Sequence, residues 1–355
     1  MRLHTILHHP IETRPGRLRL ILLMLMLAGY TVPGIGGDWE RMLGLDGQWK
    51  FSIGDNMNWA AQYYSDKDWE DIRVPRSWED EGFNGYDGYA WYRKTFNGAA
   101  IKDAGYNYNL FLGYIDDVDE VYFNGHKIGY SGTFPPKFRT AVSAFRNYFI
   151  PREYINFSGN NVVAVRVYDS ESAGGITSGD IGIYVNKEDM GLTINLRGVW
   201  KIQLTSQRFQ YEAGFDERVV NKVASSTGGD AWADINVPQA WENQGYSNYD
   251  GGAWYRKSFA VPKSLKGEDL VLLAGKIDDS DRVFLNGKPI GSTHMGAGRL
   301  RIYYIPAGLV KTGELNLLLI YIEDTGGTGG IMTGPVGIVK QSSFTKYIRN
   351  RNNNK

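Results

Sequence analysis

A unit of about 150 residues is written twice along this chain, and the duplication restricts the fold more than any single motif does. Leu45-Asp-Gly-Gln-Trp49-Lys50 returns as Leu196-Arg-Gly-Val-Trp200-Lys201. Val74-Pro75-Arg-Ser-Trp78-Glu79 returns as Val237-Pro238-Gln-Ala-Trp241-Glu242. The string from Tyr86 to Lys94 matches that from Tyr249 to Lys257 everywhere except at Tyr89, which stands against Gly252. Ile115-Asp-Asp-Val-Asp119-Glu-Val121-Tyr-Phe-Asn124-Gly125 comes back as Ile277-Asp-Asp-Ser-Asp281-Arg-Val283-Phe-Leu-Asn286-Gly287. Arg146 to Pro151 pairs with Arg301 to Pro306, and Gly174-Gly175-Ile176 with Gly329-Gly330-Ile331. At roughly 100–200 residues per domain, 355 residues divide naturally into two domains, predicted over 38–190 and 191–340. The polar, basic stretch 341–355 reads as a frayed tail.

The copies differ in loops. Trp200 to Trp241 is a longer interval than Trp49 to Trp78, and the first copy spends extra residues on Tyr130-Ser-Gly-Thr-Phe-Pro135-Pro136. Length changes placed around repeated blocks describe one scaffold with two different rims. Inside the blocks the period is that of β-strands. Val162 to Tyr168 and Leu315 to Ile322 are apolar or β-branched runs, and no sustained 3.6-residue apolar stripe follows residue 37. Asn124-Gly125 and Asn286-Gly287 read as type I′ hairpin turns, because Asn and Gly tolerate the positive φ that such turns require. The expected fold is all-β, with two tandem β-sandwich jelly rolls.

Composition removes several function classes. With 39 basic and 39 acidic residues, the chain lacks the long-range field that gathers nucleic acid or an anionic membrane. Without cysteine there is no disulfide, thiolate metal site or thiol nucleophile. Residues 1–19 are basic, 20–28 form a short apolar run, and 29–37 are small and loop-like. That order predicts a signal peptide and linker over 1–37, and hence a periplasmic or secreted protein that is not a lipoprotein. The run is too short to span a bilayer, which needs about 20 apolar residues, so no integral membrane protein is expected.

At these blocks the sequence resembles the sugar-binding jelly-roll domain of family 2 glycoside hydrolases (the β-galactosidase type), one of the galactose-binding-like folds. The resemblance rests on the tryptophan opening each unit, the V-P-x-x-W-E block, the W-Y-R-K strand and the D-x-V-x-x-N-G hairpin. The stretch from Ile277 to Gly291, with Arg301 to Pro306 and the loop Asp324 to Ile331, also looks like the jelly roll inserted in bacterial sialate O-acetylesterases. It implies a sugar-binding or supporting domain. In family 2 enzymes the two catalytic glutamates sit on a separate barrel, the acid/base one following an asparagine; this sequence contains no Asn-Glu dipeptide. Of five histidines, only His126 and His294 lie beyond residue 9, and they do not align between copies. No G-x-S-x-G, Walker A or H-E-x-x-H motif occurs, so no catalytic residue and no cofactor is assigned.

Sugar recognition calls for aromatic faces and planar polar groups. The candidate carbohydrate-binding residues are Trp78, Glu79, Tyr86, Asp87 and Trp91, with Trp241, Glu242, Tyr249, Asp250 and Trp254 in the second copy. Trp49 and Trp200 read as core, and Arg93 and Arg256 as partners in internal salt bridges. Asp116, Asp117 and Asp119, with Asp278, Asp279 and Asp281, allow a calcium site, a carboxylate pair, or a structural role. The structural role, capping amides or pairing with Arg146, Arg166 and Arg301, is preferred, and no metal is assigned. These readings describe an exported, non-catalytic binder of oligo- or polysaccharide, with a glycan-degrading enzyme or an envelope protein as its candidate partner. A hydrolase or carbohydrate esterase relative without its usual catalytic domain, or an envelope docking module, is the alternative.

Overall fold

The computed structural model describes residues 39–101, 103, 107–186, 191–206, 217–226 and 232–353. The predicted signal peptide lies outside them. From Trp39 onward the described residues belong to one compact unit, and among them all is β apart from short helical turns and two α-helices.

The first half contributes β1 (Trp39–Gly44), β2 (Gly47–Ile53), β3 (Glu70–Val74), β4 (Gly88–Asn97), β5 (Tyr108–Asp116), β6 (Val118–Phe123), β7 (His126–Ser131), β8 (Phe145–Ile150), β9 (Asn160–Asp169) and β10 (Gly175–Asn186). The second contributes β11 (Ile194–Asn195), β12 (Gly198–Thr205), β13 (Ala233–Val237), β14 (Gly251–Ala260), β15 (Leu270–Asp278), β16 (Ser280–Leu285), β17 (Lys288–Thr293), β18 (Leu300–Ile305), β19 (Leu315–Asp324) and β20 (Gly330–Lys340). Antiparallel pairing gives a four-stranded sheet β1-β10-β5-β8 and a six-stranded sheet β3-β2-β4-β9-β6-β7. The second half repeats both orders strand for strand, as β11-β20-β15-β18 and β13-β12-β14-β19-β16-β17. Among the described residues, no strand of one half pairs with a strand of the other.

Each half closes around a core drawn from both of its sheets. Val163, Val165 and Val167 alternate inward from β9 and meet Leu110 and Leu112 of β5 and Ile181 and Ile183 of β10. Trp49 and Trp200 are core residues, as expected, and each indole donates to a carbonyl four residues back, Leu45 O at 2.7 Å and Leu196 O at 2.6 Å. The hairpin turns also form as read: Asn124 and Gly125 have φ of 49° and 83°, Asn286 and Gly287 of 50° and 81°. The asparagines do more than turn the chain. Asn124 Nδ2 reaches Tyr154 O and Asn161 Oδ1, while its Oδ1 accepts from Val162 N at 2.7 Å, so the turn is tied to β9.

Two helices depart from the sequence reading. The helix α1 (Glu217–Ser225) lies in the longer interval of the second half and packs Val220 with Trp254, Phe284 and Tyr321 on the outer face of the six-stranded sheet. At two and a half turns, it is too short for a sustained apolar period to show. The tail expected to fray forms α2 (Gln341–Asn353) instead, anchored by Phe344 against Val271, Leu273 and Val339.

The halves touch through the extra loop of the first. Tyr130 donates its hydroxyl to Asp234 O, and its backbone carbonyl accepts from Asn236 Nδ2; Gln239 Nε2 donates to Ser131 Oγ at 3.1 Å; Gly132 N reaches Asn243 O at 3.2 Å; Arg139 donates to Gly245 O. A loop that looked like a free rim insertion is therefore a bracket onto the other half.

Candidate functional site

The loop after β3 carries Trp78, Glu79, Tyr86 and Asp87, and it is laced to the turn between β9 and β10 by Arg76 N to Ile176 O (2.7 Å) and Trp78 N to Gly174 O (3.1 Å). The second half repeats this with Gln239 N to Ile331 O and Trp241 N to Gly329 O. Into this lacing each loop inserts its tryptophan. A Cβ on Gly174 would stand 2.0 Å from Trp78 Cζ2, and one on Gly329 would stand 2.2 Å from Trp241 Cε2, so only glycine fits beneath these rings.

Here the structure corrects the expectation of an aromatic sugar platform. Trp78, Trp91 and Trp241 are 0% exposed and Trp254 is 3% exposed, so none of the four can present a ring face to a ligand. Trp78 and Trp241 belong to the sandwich cores. Trp91 and Trp254 point outward from the six-stranded sheets, but Trp91 is covered by Ala60, Trp59 and Trp69, and Trp254 by α1. Tyr86 and Tyr249 are half-buried, with hydroxyls donated inward to Tyr89 O and Gly252 O. Glu79 and Glu242 accept from the amides of Gly174 and Gly329 at 3.1 Å. Asp87 and Asp250 remain exposed.

What converges at the first rim is carboxylate. Asp116, Asp117 and Asp169 place ligand-capable oxygens within 4.8 Å of one another, although Asp117 and Asp169 are buried. Asp117 Oδ2 is held by Ser170 through N (3.0 Å) and Oγ (2.7 Å); Asp169 Oδ1 accepts from Glu171 N, and its Oδ2 has no partner. Burial, reinforced by the charge of Asp117, pushes Asp116 up to about 6. Burial, then the charges of Asp116, Asp117 and Asp87, pushes Asp169 up to about 7. Such a cluster can share protons, accept from hydroxyl groups, or surround a cation. In the second half, burial and its bond with Asp279 lift Asp278 to about 6, whereas Asp279, though also raised by burial, is held below the usual carboxylate range by Thr325. Among the described residues, three carboxylates meet this closely in the first half alone.

The third acid of each block is structural, as preferred. Asp119 and Arg146 form an ion pair at 2.7 Å with both side chains fully buried, and Tyr148 donates to the other carboxylate oxygen at 2.6 Å. Asp281, Arg301 and Tyr303 repeat it. Arg166 takes different partners from those expected, Asp55 and Glu120. Arg93 makes its internal salt bridge, with Asp66 at 2.9 Å; Arg256 has no acidic partner among the described residues. His126 stacks on Tyr154, and His294 lies 3.3 Å from Ser280 Oγ.

The sequence reading also missed an aromatic group unique to the first half. Tyr89 stacks on Phe134 at 5.8 Å, Tyr168 meets both Tyr89 and Phe138, and the Arg166 guanidinium lies over Tyr89 and Phe134. The clue was Tyr89, the sole mismatch in an otherwise repeated string, and the phenylalanines of the extra loop.

No family model matches the chain. It is 27% identical over 150 residues to beta-galactosidase BoGH2A of Bacteroides ovatus, a stretch covering 39% of this chain. The match spans only 16% of that protein's length. It is a weak homology that supports a fold related to family 2 glycoside hydrolases. Among solved structures, β-glucuronidase from Ruminococcus gnavus aligns at 24% identity over 36% of this chain and 21% of that one, with a TM-score of 0.29. Its complex with D-glucuronic acid gives 25% identity over the same shares and the same TM-score.

Proposed function

We propose that this chain is an exported, non-catalytic carbohydrate-binding protein, an accessory to a glycan-degrading system, and that it binds sugar at the rim of its first half. The observation that carries this reading is the acidic rim, where accessible Asp116 and exposed Asp87 stand over buried Asp117 and Asp169. Carboxylates accept from pairs of sugar hydroxyls, and such charge-assisted hydrogen bonds are worth about 1.5–3 kcal/mol each. The weak homology to a β-galactosidase supports a sugar as ligand, and the basic-then-apolar N-terminus supports export. Tyr89 and Tyr168, half-buried next to the rim, offer apolar surface that the buried tryptophans cannot. The second rim is less suited, since the bracket from the first half lies against residues 239–245.

Calorimetric titration with neutral plant, host and bacterial glycans tests the reading. Binding of at least one is expected, with Asp87→Asn and Asp116→Asn, the rim acids that reach the surface, each weakening it about tenfold or more while the protein stays folded. Silence of correctly folded protein across the panel overturns it.

A further inference from the structure

Arg93 and Arg256 come from the same repeated string, and their surroundings differ in one decisive respect. Arg93 is 1% exposed, with Asp66 at Nε and the carbonyls of Trp59, Ala61 and Tyr64 around its other nitrogens. Arg256 lies over the Trp232 ring at 4.3 Å and gives one N–H to Ser226 O at 2.7 Å. No carboxylate reaches it among the described residues. Between β12 and β13 the second half carries α1, and beside it lies a cavity of about 670 Å³.

The walls of that cavity are cationic and amide-rich: Lys201, Arg256, Lys257 and Lys311, with Asn221 and Asn286. Lys201 is neutralised by Asp234 at 2.6 Å, but Arg256, Lys257 and Lys311 pair with no acid among the described residues. Burial pushes both Arg256 and Lys257 down, as expected of cations withdrawn from water with no countercharge. Trp232 and Ser226 meanwhile hold the guanidinium in place, which removes much of the entropy cost of orienting it.

We infer that this cavity is a binding site for an oxyanion, a carboxylate or sulfate ester carried on a sugar-sized ligand, received by Arg256, Lys257 and Lys311. The first half supplies the intramolecular precedent, because there the equivalent arginine takes the carboxylate of Asp66. A planar guanidinium matches carboxylate and sulfate geometry, and the Asn221 amide suits a hydroxyl. The inference does not depend on the acidic rim, which would repel the same ligand.

Titration of the full-length protein with galacturonate and galactose 6-sulfate tests it, with galactose as the neutral control and inorganic phosphate as the free-ion arm. Saturable binding of the charged ligands is expected, with galactose at least about tenfold weaker. Arg256→Gln should cost about tenfold, and Lys311→Gln, at an exposed position that cannot threaten folding, about threefold. Asp169→Asn should leave the binding intact. Binding of phosphate but not of the sugar acids would keep the site and assign it to a free ion. Equal binding of galactose, unchanged affinity in both variants, or no saturation by any anion at about 10 mM would overturn the inference.

Discussion

The outer faces of the two six-stranded sheets begin from nearly the same residues and end in different chemistry. In the first half, the segment after β2 folds over Trp91, brings Trp59 and Trp69 onto it, and delivers Asp66 and four carbonyls to Arg93. In the second, α1 covers Trp254 with Val220 but leaves Arg256 beside an open cavity. The inner cores, by contrast, are close copies. An inner position must satisfy close packing against a facing sheet, which tolerates little change. An outer face needs only to be covered, and a loop or a helix does that equally well. The two halves therefore match inside and differ outside, where the covering segment is free to create binding surface.

The largest predicted effects test the shared part. Asp119→Ala leaves Arg146, and Asp281→Ala leaves Arg301, as a guanidinium in the interior without a countercharge. Each should lose about 3–5 kcal/mol of stability in denaturant unfolding, because the other ion stays buried. If the inner cores are equivalent, the two losses agree; a loss below about 1 kcal/mol at either site would show that half to be hydrated where it looks dry.

The next effect should split the halves. Asp66→Ala strips Arg93 of its carboxylate partner and is expected to cost about 2–3 kcal/mol, less than the first pair because four backbone carbonyls remain on the guanidinium. Arg256→Gln removes a side chain with one protein hydrogen bond and should cost under about 1 kcal/mol. Equal costs in chemical denaturation would mean that Arg256 is as integral to its half as Arg93, and the outer faces would then differ in appearance only.

Much of this architecture was legible because it is local. Alternation at Val163, Val165 and Val167 marks an inward face, and Asn124-Gly125 marks a turn whatever surrounds it. The candidate site was less legible for a matching reason. Trp78 stands in a loop next to an acid, as a sugar-stacking residue would, and only a glycine ninety-six residues away shows that its ring lies flat against a backbone. Trp91 alternates outward as expected for a surface residue, yet what covers it is an irregular segment without a periodic pattern. The carboxylate convergence at Asp116, Asp117 and Asp169 joins the β5–β6 corner to the end of β9. The sequence reading noticed the first two acids and passed over the third, because Asp169 closes a strand more than fifty residues along the chain from them.

That third acid supplies the smallest and most specific prediction. Unfolded, an aspartate ionises near 3.8; folded, Asp169 holds its proton up to about 7. Between those values the folded state binds more protons than the unfolded one, so this group makes stability fall as pH rises from about 4 to about 7. Asp169→Asn cannot ionise and should remove that slope: little change below about pH 4, and a gain of about 1 kcal/mol or more at pH 8, read as a higher Tm. Asp324→Asn in the second half should do the same in weaker form, since Asp324 is also raised by burial but Thr325 holds Asp279 away from a shared cluster. Sugar binding should move the opposite way in the wild-type protein, tightening from pH 5 to pH 8 as the rim acids ionise and become full acceptors. A rim whose stability and affinity rose together with pH would not contain a carboxylate kept protonated by its neighbours, and the contrast between the two rims would vanish with it.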